Sequence, residues 1–194
     1  MDLVPFCGFS LLSAPGRVLT PRPATQALVD RALDRIGDRS VRVADVGTGS
    51  GAIAVSLALL APRAEIWATD TSAAAVELAA ANVVRFGLEG RVHIVEGDLL
   101  GPIPGELDLV VANLPYLPAR EAREHPELAG EPLAAVYAPG DGLGPLRRLS
   151  EQARDRLCED GALVYQYRGE VFEAERAELP LLQSSSWHAV AARS

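Results

Sequence analysis

The sequence of 194 residues contains no lysine, so arginine supplies all eighteen of its basic side chains. We attribute this absence to genome composition rather than to function. Cysteine is also scarce, and Cys7 and Cys158 lie too far apart to match a metal-binding spacing. Because such cysteine usage is typical of a reducing compartment, we expect a cytoplasmic location and no metal site.

Long apolar runs are missing as well. The run over residues 52–61 ends at Pro62 and Arg63, well short of the ~20 residues that a membrane-spanning helix needs. Met1 and Asp2 lack the basic segment that opens a signal peptide, so we expect no leader. A hydrophobic content of 48% fits one domain with a sizeable core over residues 1–194.

Net positive charge is absent too. The formal net charge is −8 with a pI near 4.9, which disfavours an enzyme that must bind a long polyanion through its phosphates. A local basic patch of four arginines is the alternative, but Glu121, Glu124, Glu127 and Glu131 are its acidic neighbours, so we expect a mixed, solvated face. The arginines are Arg120, Arg123, Arg147 and Arg148.

The most informative motif present is Asn113-Leu114-Pro115-Tyr116, which follows the apolar run 107–112. That run predicts a buried parallel strand, and ligands bind at the carboxyl ends of such strands. The Asn113 side chain and the Leu114 carbonyl offer two hydrogen-bond acceptors, and Tyr116 offers a flat ring. Two acceptors beside a ring suit a planar amide or aromatic NH2 group. A polar turn with no further role is the alternative.

A glycine-rich turn, Gly47-Thr48-Gly49-Ser50-Gly51, joins a predicted strand over 41–46 to a predicted helix over 52–61. Such a turn lets a ligand approach the backbone closely and presents the N–H groups of a helix N-terminus. Its third glycine comes one residue too early for the dinucleotide fingerprint, so the turn does not favour NAD.

Acidic residues stand near the ends of successive predicted strands. Asp45 precedes the glycine turn, Asp70 and then Thr71 follow the second strand, and Asp98 and Leu99 follow the third. We expect Asp70 to accept hydrogen bonds from ribose hydroxyls and Asp98 to bind an exocyclic amino group of adenine. Singly, such acids are more often helix caps or turn residues.

Together these motifs resemble the S-adenosylmethionine-dependent methyltransferases, and more narrowly the catalytic domain of the bacterial release-factor glutamine N5-methyltransferase family. Two further blocks carry the narrower resemblance. They are Thr20-Pro21-Arg22-Pro23-Ala24-Thr25, and Glu131-Pro132-Leu133-Ala134-Ala135-Val136 with Gly140-Asp141-Gly142-Leu143. Leu114 replaces a proline of the family motif, and Tyr165-Gln166-Tyr167 stands in place of Glu-x-Gly.

The resemblance implies a class I, Rossmann-like, doubly wound α/β sheet that is mostly parallel. We expect a short hairpin and connecting loop over residues 1–22, and the core over 23–194. Periodicity predicts a helix over 24–36, a helix capped by Ser72, and a helix after Gly142. Residues 187–192 read as the sixth strand, which leaves no sequence for an antiparallel seventh strand. The segment 117–139 has no clear period and should cover the mouth of the site.

The resemblance also implies in-line methyl transfer from S-adenosylmethionine to a planar nitrogen, most simply a protein glutamine amide, with a release factor as partner. The implied catalytic residues are those of the tetrapeptide 113–116, and the implied substrate contacts are Arg22, Pro23 and Glu131. The implied cofactor residues are Asp45, Gly47, Thr48, Gly49, Gly51, Asp70, Thr71, Asp98, Leu99 and Asn113. Ribosomal-RNA adenine dimethylases also use Asn-Leu-Pro-Tyr, so an RNA adenine, a small molecule, or an inactive cofactor-binding homologue remain alternatives.

Overall fold

A β-hairpin opens the chain in the computed structural model, which describes residues 1–179. Strand β1 (Asp2–Phe6) pairs antiparallel with β2 (Phe9–Ser13). The two connecting residues, Cys7 and Gly8, have φ angles of 47° and 81°, the positive values that a tight turn between twisted strands requires. The predicted hairpin is confirmed.

The central part of the chain alternates between helix and strand, as the sequence predicts. After a 3-10 turn at Pro23–Thr25 come α1 (Gln26–Ile36), β3 (Arg42–Val46), α2 (Ala52–Leu60), β4 (Glu65–Asp70), α3 (Ala73–Arg85), β5 (Val92–Glu96) and β6 (Leu107–Ala112). Ser72 caps α3, because its Oγ accepts a hydrogen bond from the Ala75 N–H at 3.4 Å.

The segment between β6 and the next long helix consists of short elements. They are β7 (Leu117–Pro118), 3-10 turns at Ala119–Arg123 and Pro126–Leu128, α4 (Leu133–Val136) and β8 (Tyr137–Ala138). Strands β7 and β8 pair in parallel, so the two ends of this segment lie side by side. Then follow α5 (Gly144–Arg156), β9 (Leu157–Tyr167) and β10 (Glu170–Glu175).

Six strands form the main sheet in the order β10-β9-β6-β3-β4-β5. Strands β9, β6, β3, β4 and β5 run parallel, and β10 is antiparallel to β9. The chain leaves β3 toward β4 and β5, then returns to β6 on the other side of β3. This reversal opens a crevice at the carboxyl ends of β3 and β6, the place where open α/β sheets bind ligands.

Side chains of the central strands alternate between two apolar cores, one on each face of the sheet. On β6, Leu109 and Val111 join the core formed with α1 and α2, whereas Val110 and Ala112 join the core formed with α5. Because strands buried on both faces read as continuous apolar runs, this packing explains the composition of residues 107–112. The predicted doubly wound, mostly parallel sheet is confirmed.

The sequence pattern did not predict strand β10, which lies antiparallel to β9 at the sheet edge. The reversal occurs at Arg168 and Gly169, whose φ angles are 48° and 84°. Two consecutive positive φ values form the turn that suits a two-residue hairpin. The predicted sixth strand over 187–192 lies outside the described residues. The expected absence of a seventh strand after residue 192 falls outside them as well.

The longest helices within residues 1–179 are α3 and α5, each of 13 residues. No helix in this part of the chain is long and apolar enough to cross a membrane. The cytoplasmic location stays a prediction.

Candidate active site

A cavity of about 310 Å³ lies at the carboxyl ends of the central strands. The glycine turn after β3, the ends of β4 and β5, and the segment after β6 line one side of it. Residues 17–22, Thr25, Pro132, Ala134, Ala135 and Arg148 are among those that line the remainder. Because Pro132, Ala134 and Ala135 belong to the segment 117–139, that segment covers part of the cavity, as its length suggests.

The cavity brings together most of the predicted site residues. Those that line it are Arg22, Gly47, Thr48, Gly49, Asp70, Thr71, Asp98, Leu99, Asn113, Leu114 and Pro115. Five others do not belong to its wall: Pro23, Asp45, Gly51, Tyr116 and Glu131.

Backbone hydrogen bonds and a positive φ angle at Gly47 hold the shape of the glycine turn. Gly47 and Thr48 donate their N–H groups to the Thr69 carbonyl at 2.8 and 2.9 Å. Gly47 has a φ of +74°, and a Cβ there would lie 2.8 Å from Leu114 Cδ2. Since Val46 and Ala112 are neighbours in the sheet, the glycine turn and the tetrapeptide meet directly at the crevice.

Asn82 of α3 ties this turn to the N-terminal hairpin. Its buried side chain accepts a hydrogen bond from the Leu12 N–H at 2.8 Å and donates to the Leu12 carbonyl at 3.0 Å and the Ser50 carbonyl at 2.8 Å. One carboxamide therefore fixes a hairpin strand, a helix and the glycine turn relative to one another.

Asp45 is fully buried beneath the turn. Its Oδ2 accepts hydrogen bonds from Thr48 Oγ1 at 2.6 Å and from the Ala54 N–H at 3.1 Å. Its Oδ1 has no partner among the described residues. Burial raises the pKa of Asp45 to about 7, against the lowering effect of these two donors.

Asp70 stands at the tip of β4 on the cavity wall. Its Oδ2 accepts from the Gly49 N–H and its Oδ1 from the Ser72 N–H, both at 2.9 Å. Each carboxylate oxygen has further lone pairs for a ligand. Asp70 and Thr71 both line the cavity, and the binding of ribose hydroxyls by Asp70 stays a prediction.

Asp98 and Leu99 form the next part of the wall. Asp98 pairs with Arg148 of α5, another cavity residue. Leu99 has a φ of +51°, rare for a residue other than glycine. Its carbonyl accepts a hydrogen bond from Thr69 Oγ1 at 2.9 Å, which holds the turn in this conformation. Sequence reasoning placed Arg148 only on the surface.

Asn113 follows β6 and presents its carboxamide to the cavity. Its Nδ2 donates to Thr25 Oγ1 at 3.1 Å. Within residues 1–179, Oδ1 has no hydrogen-bond donor, so it is available to a ligand. The sequence did not predict any contact of Asn113 with Thr25 or Gln166. It placed Thr25 in the motif 20–25 and the segment 165–167, a departure from the family, at the rear of the pocket.

The remaining three residues of the tetrapeptide have different positions. Leu114 and Pro115 line the cavity. The Tyr116 ring instead packs edge-on against Tyr167, with 5.3 Å between ring centroids, and burial raises the pKa of Tyr116 above its usual range. Tyr116 thus supports the turn in this structure, and its contact with a substrate stays a prediction.

Glu131 connects the segment 117–139 to the residues that precede α1. Its Oε2 accepts from the Thr20 N–H at 3.1 Å, and its Oε1 lies 3.8 Å from Arg22 Nη2. Pro23 begins the 3-10 turn before α1. The predicted substrate contacts of these residues remain predictions.

Residues 22–129 match the methyltransferase small domain family. The chain belongs to this family. The match spans more than half of the sequence and includes the glycine turn, the acidic strand tips and the tetrapeptide. The predicted resemblance to methyltransferases is confirmed.

Methyltransferases from two bacteria illustrate the similarity. The chain is 43% identical to a release factor glutamine methyltransferase from Gloeobacter violaceus, over 76% of this chain and 53% of that protein. It is also 43% identical to one from Bordetella pertussis, over 84% of this chain and 61% of that protein. The chain thus spans little more than half the length of these relatives.

Among solved structures, a ribosomal protein L11 methylase from Lactobacillus delbrueckii subsp. bulgaricus superposes with a TM-score of 0.54 and 25% identity. The superposition covers 87% of this chain and 69% of the methylase. The predicted class I methyltransferase fold is confirmed.

Proposed function

We propose that this protein transfers a methyl group from S-adenosylmethionine to the side-chain amide nitrogen of a glutamine in a protein substrate. The observation that carries the proposal is the position of Asn113, whose side-chain oxygen has no donor from the described residues and whose side chain lines the cavity. The choice of glutamine as the methyl acceptor is supported by the names of the glutamine methyltransferases that the chain resembles.

The cavity residues fit S-adenosylmethionine. Gly47 and Gly49 line the cavity with positive φ angles of 74° and 57°, so the backbone of the turn itself forms part of the wall that a ligand would approach. The helix α2 begins at this turn, where its first N–H groups favour an anionic carboxylate. Asp70 retains acceptor capacity for ribose hydroxyls. When bound, S-adenosylmethionine supplies an electrophilic methyl group on a sulfonium.

The residues of the tetrapeptide act on the acceptor. An amide nitrogen is a weak nucleophile because its lone pair is delocalised into the carbonyl. Asn113 Oδ1 and the Leu114 carbonyl would accept hydrogen bonds from the two amide protons, which orients the nitrogen toward the methyl group. They would also stabilise the positive charge that develops on that nitrogen.

Charge supports a protein acceptor over RNA. The net charge of −8 opposes binding of a polyanion. Three of the four arginines considered for a basic patch form ion pairs: Arg120 with Glu121, Arg147 with Asp141, and Arg148 with Asp98. We therefore favour a release factor as the partner, as the names of the relatives suggest.

The test is incubation with methyl-labelled S-adenosylmethionine and, in parallel, a release factor, ribosomal RNA and a small-molecule extract. We expect label on the protein, at a glutamine located by mass spectrometry of peptides. Asn113→Ala, in which we expect much weaker labelling, serves as the control. Label on RNA alone, or only in the small-molecule fraction, would contradict the proposed acceptor; absence of label in all three, with cofactor binding intact, would indicate a binding homologue.

A further inference from the structure

Two buried polar side chains, Thr25 and Gln166, stand in a hydrogen-bonded chain behind Asn113. Thr25 is 8% exposed and Gln166 is 5% exposed. Gln166 Nε2 donates to the Ala24 carbonyl at 2.9 Å, and Thr25 Oγ1 donates to Gln166 Oε1 at 3.1 Å. Asn113 Nδ2 then donates to Thr25 Oγ1, also at 3.1 Å. The chain connects the start of α1, strand β9 and the tip of β6.

The direction of each hydrogen bond follows from the one before it. The Ala24 carbonyl only accepts, so Gln166 must turn its amide nitrogen toward it. The oxygen of Gln166 then faces Thr25 and takes its single hydroxyl proton. Thr25 Oγ1 is left with lone pairs, so the group that Asn113 presents to it must be the NH2.

The opposite orientation of Asn113 would bring acceptors together. With Oδ1 turned toward Thr25, two oxygens would compete for one hydroxyl proton, and Gln166 Oε1 or Asn113 Oδ1 would lose its donor. An unsatisfied acceptor in a buried site carries a desolvation penalty. The backbone carbonyl of Ala24 thus disfavours that orientation through two side chains, although it does not touch Asn113.

We infer that Thr25 and Gln166 are positioning residues, which lock the Asn113 carboxamide with its oxygen toward the cavity and thereby select a substrate group that donates N–H. A glutamine amide meets this requirement. A glutamate carboxylate does not, because at neutral pH it has only acceptors to bring against Asn113 Oδ1. The identity of the acceptor rests on the proposed function; the orientation of Asn113 does not.

Nuclear magnetic resonance tests the orientation without an activity assay. The side-chain NH2 of Asn113, assigned by its loss in Asn113→Asp, should exchange slowly with solvent in the wild type. Thr25→Val removes the hydroxyl but keeps the branched shape, and Gln166→Met removes the amide; each should accelerate the exchange. Thr25→Ser should retain protection. Ser150→Ala, which removes a buried hydroxyl bonded to the Arg147 carbonyl, should change nothing at Asn113.

Kinetics then test the effect on the acceptor. Thr25→Val should lower kcat about tenfold, because a loosely held acceptor misorients the amide, while the Kd for cofactor stays unchanged. Thr25→Ser should restore most of the rate. A substrate peptide with glutamate in place of the target glutamine should inhibit Thr25→Val more strongly than wild type, since the freed Asn113 can turn its NH2 toward the carboxylate.

The outcomes separate this inference from the proposed function. Equal exchange of the Asn113 NH2 in wild type and Thr25→Val would overturn the inference, even for an enzyme that methylates glutamine. If Thr25→Val does not fold, equal exchange in wild type and Gln166→Met overturns it in the same way. Protection that depends on Thr25 and Gln166, in a protein that methylates no glutamine, would support the inference and refute the proposed acceptor.

Discussion

A Cβ added to Gly142 would lie 2.1 Å from the carbonyl oxygen of Tyr116, and Gly142 has a φ of +86°. The turn before α5 therefore lies directly against the backbone of the tetrapeptide. This contact explains why two motifs that are well separated in the sequence form one structural unit. The Asp141 side chain stabilises the turn by accepting from the Leu143 N–H at 3.0 Å, and Arg147 holds the pKa of that carboxyl below its usual range.

Gly142→Ala should destabilise the protein and displace residues 113–116. We expect the free energy of unfolding to fall by about 2 kcal/mol or more, since both a backbone clash and an unfavourable φ contribute. Gly144→Ala is the matched control, because a Cβ there meets nothing within 4 Å. Thermal unfolding of the two variants measures the difference, and equal melting temperatures would refute the close contact.

Asp70→Ala should weaken cofactor binding. The variant loses the acceptor for ribose hydroxyls and the bonds that Asp70 forms with the Gly49 and Ser72 N–H groups. Hydrogen bonds to a charged group contribute about 1.5–3 kcal/mol each, so we expect the Kd for S-adenosylmethionine to rise at least tenfold. Calorimetry measures it, with Asp155→Ala, an exposed aspartate of α5, as control. Unchanged affinity in a folded Asp70→Ala variant would contradict the prediction that Asp70 binds the ribose hydroxyls.

Asn113→Ala should lower turnover roughly a hundredfold, because the acceptor oxygen acts mainly in the transition state. The Kd for cofactor should stay nearly constant. Gln26→Ala, which truncates a carboxamide of α1 that does not line the cavity, should leave the rate unchanged. Initial rates under saturating cofactor measure this. Similar rates for wild type and Asn113→Ala would mean that the tetrapeptide is only a turn.

Asp45 should make the protein less stable as the pH rises from about 4 to about 7. Its pKa is about 7 in the folded state and near 3.8 in the unfolded chain, so the folded state binds more protons across this window. Stability should therefore fall with pH, by up to about 1.4 kcal/mol per pH unit from this group. Denaturant unfolding at several pH values measures the slope, which Asp45→Asn should reduce. An identical slope in the variant would show that Asp45 ionises normally in the folded protein.

The central α/β pattern was predictable because its signals are local. The apolar run 107–112 and the helix capped by Ser72 each carry their structure in adjacent residues, and the structure confirms both. The glycine turn could be placed for the same reason, since the strand before it and the helix after it are both plain in the sequence.

What the sequence did not reveal depends on distant partners. The hydrogen bond from Thr25 to Gln166 joins residues 141 positions apart, and the bond from Asn113 to Thr25 joins residues 88 apart. No repeating pattern in the sequence relates residues that lie so far apart. Strand β10 was missed for another reason: its turn uses Arg168 in a conformation usually filled by glycine or asparagine, so the local signal for a hairpin was weak.

The bonds of Asn82 to Leu12 and Ser50 set a lower limit on how far the chain can be shortened from its amino terminus. Met1 is 84% exposed, so we expect a tag fused there to leave the glycine turn intact. Proteolysis after Ser13 would instead leave the Asn82 side chain without both of its bonds to Leu12. The hairpin thus supports the cavity wall through Asn82, which lies 70 positions from Leu12 in the sequence. A fragment without the hairpin would lose this support of the glycine turn.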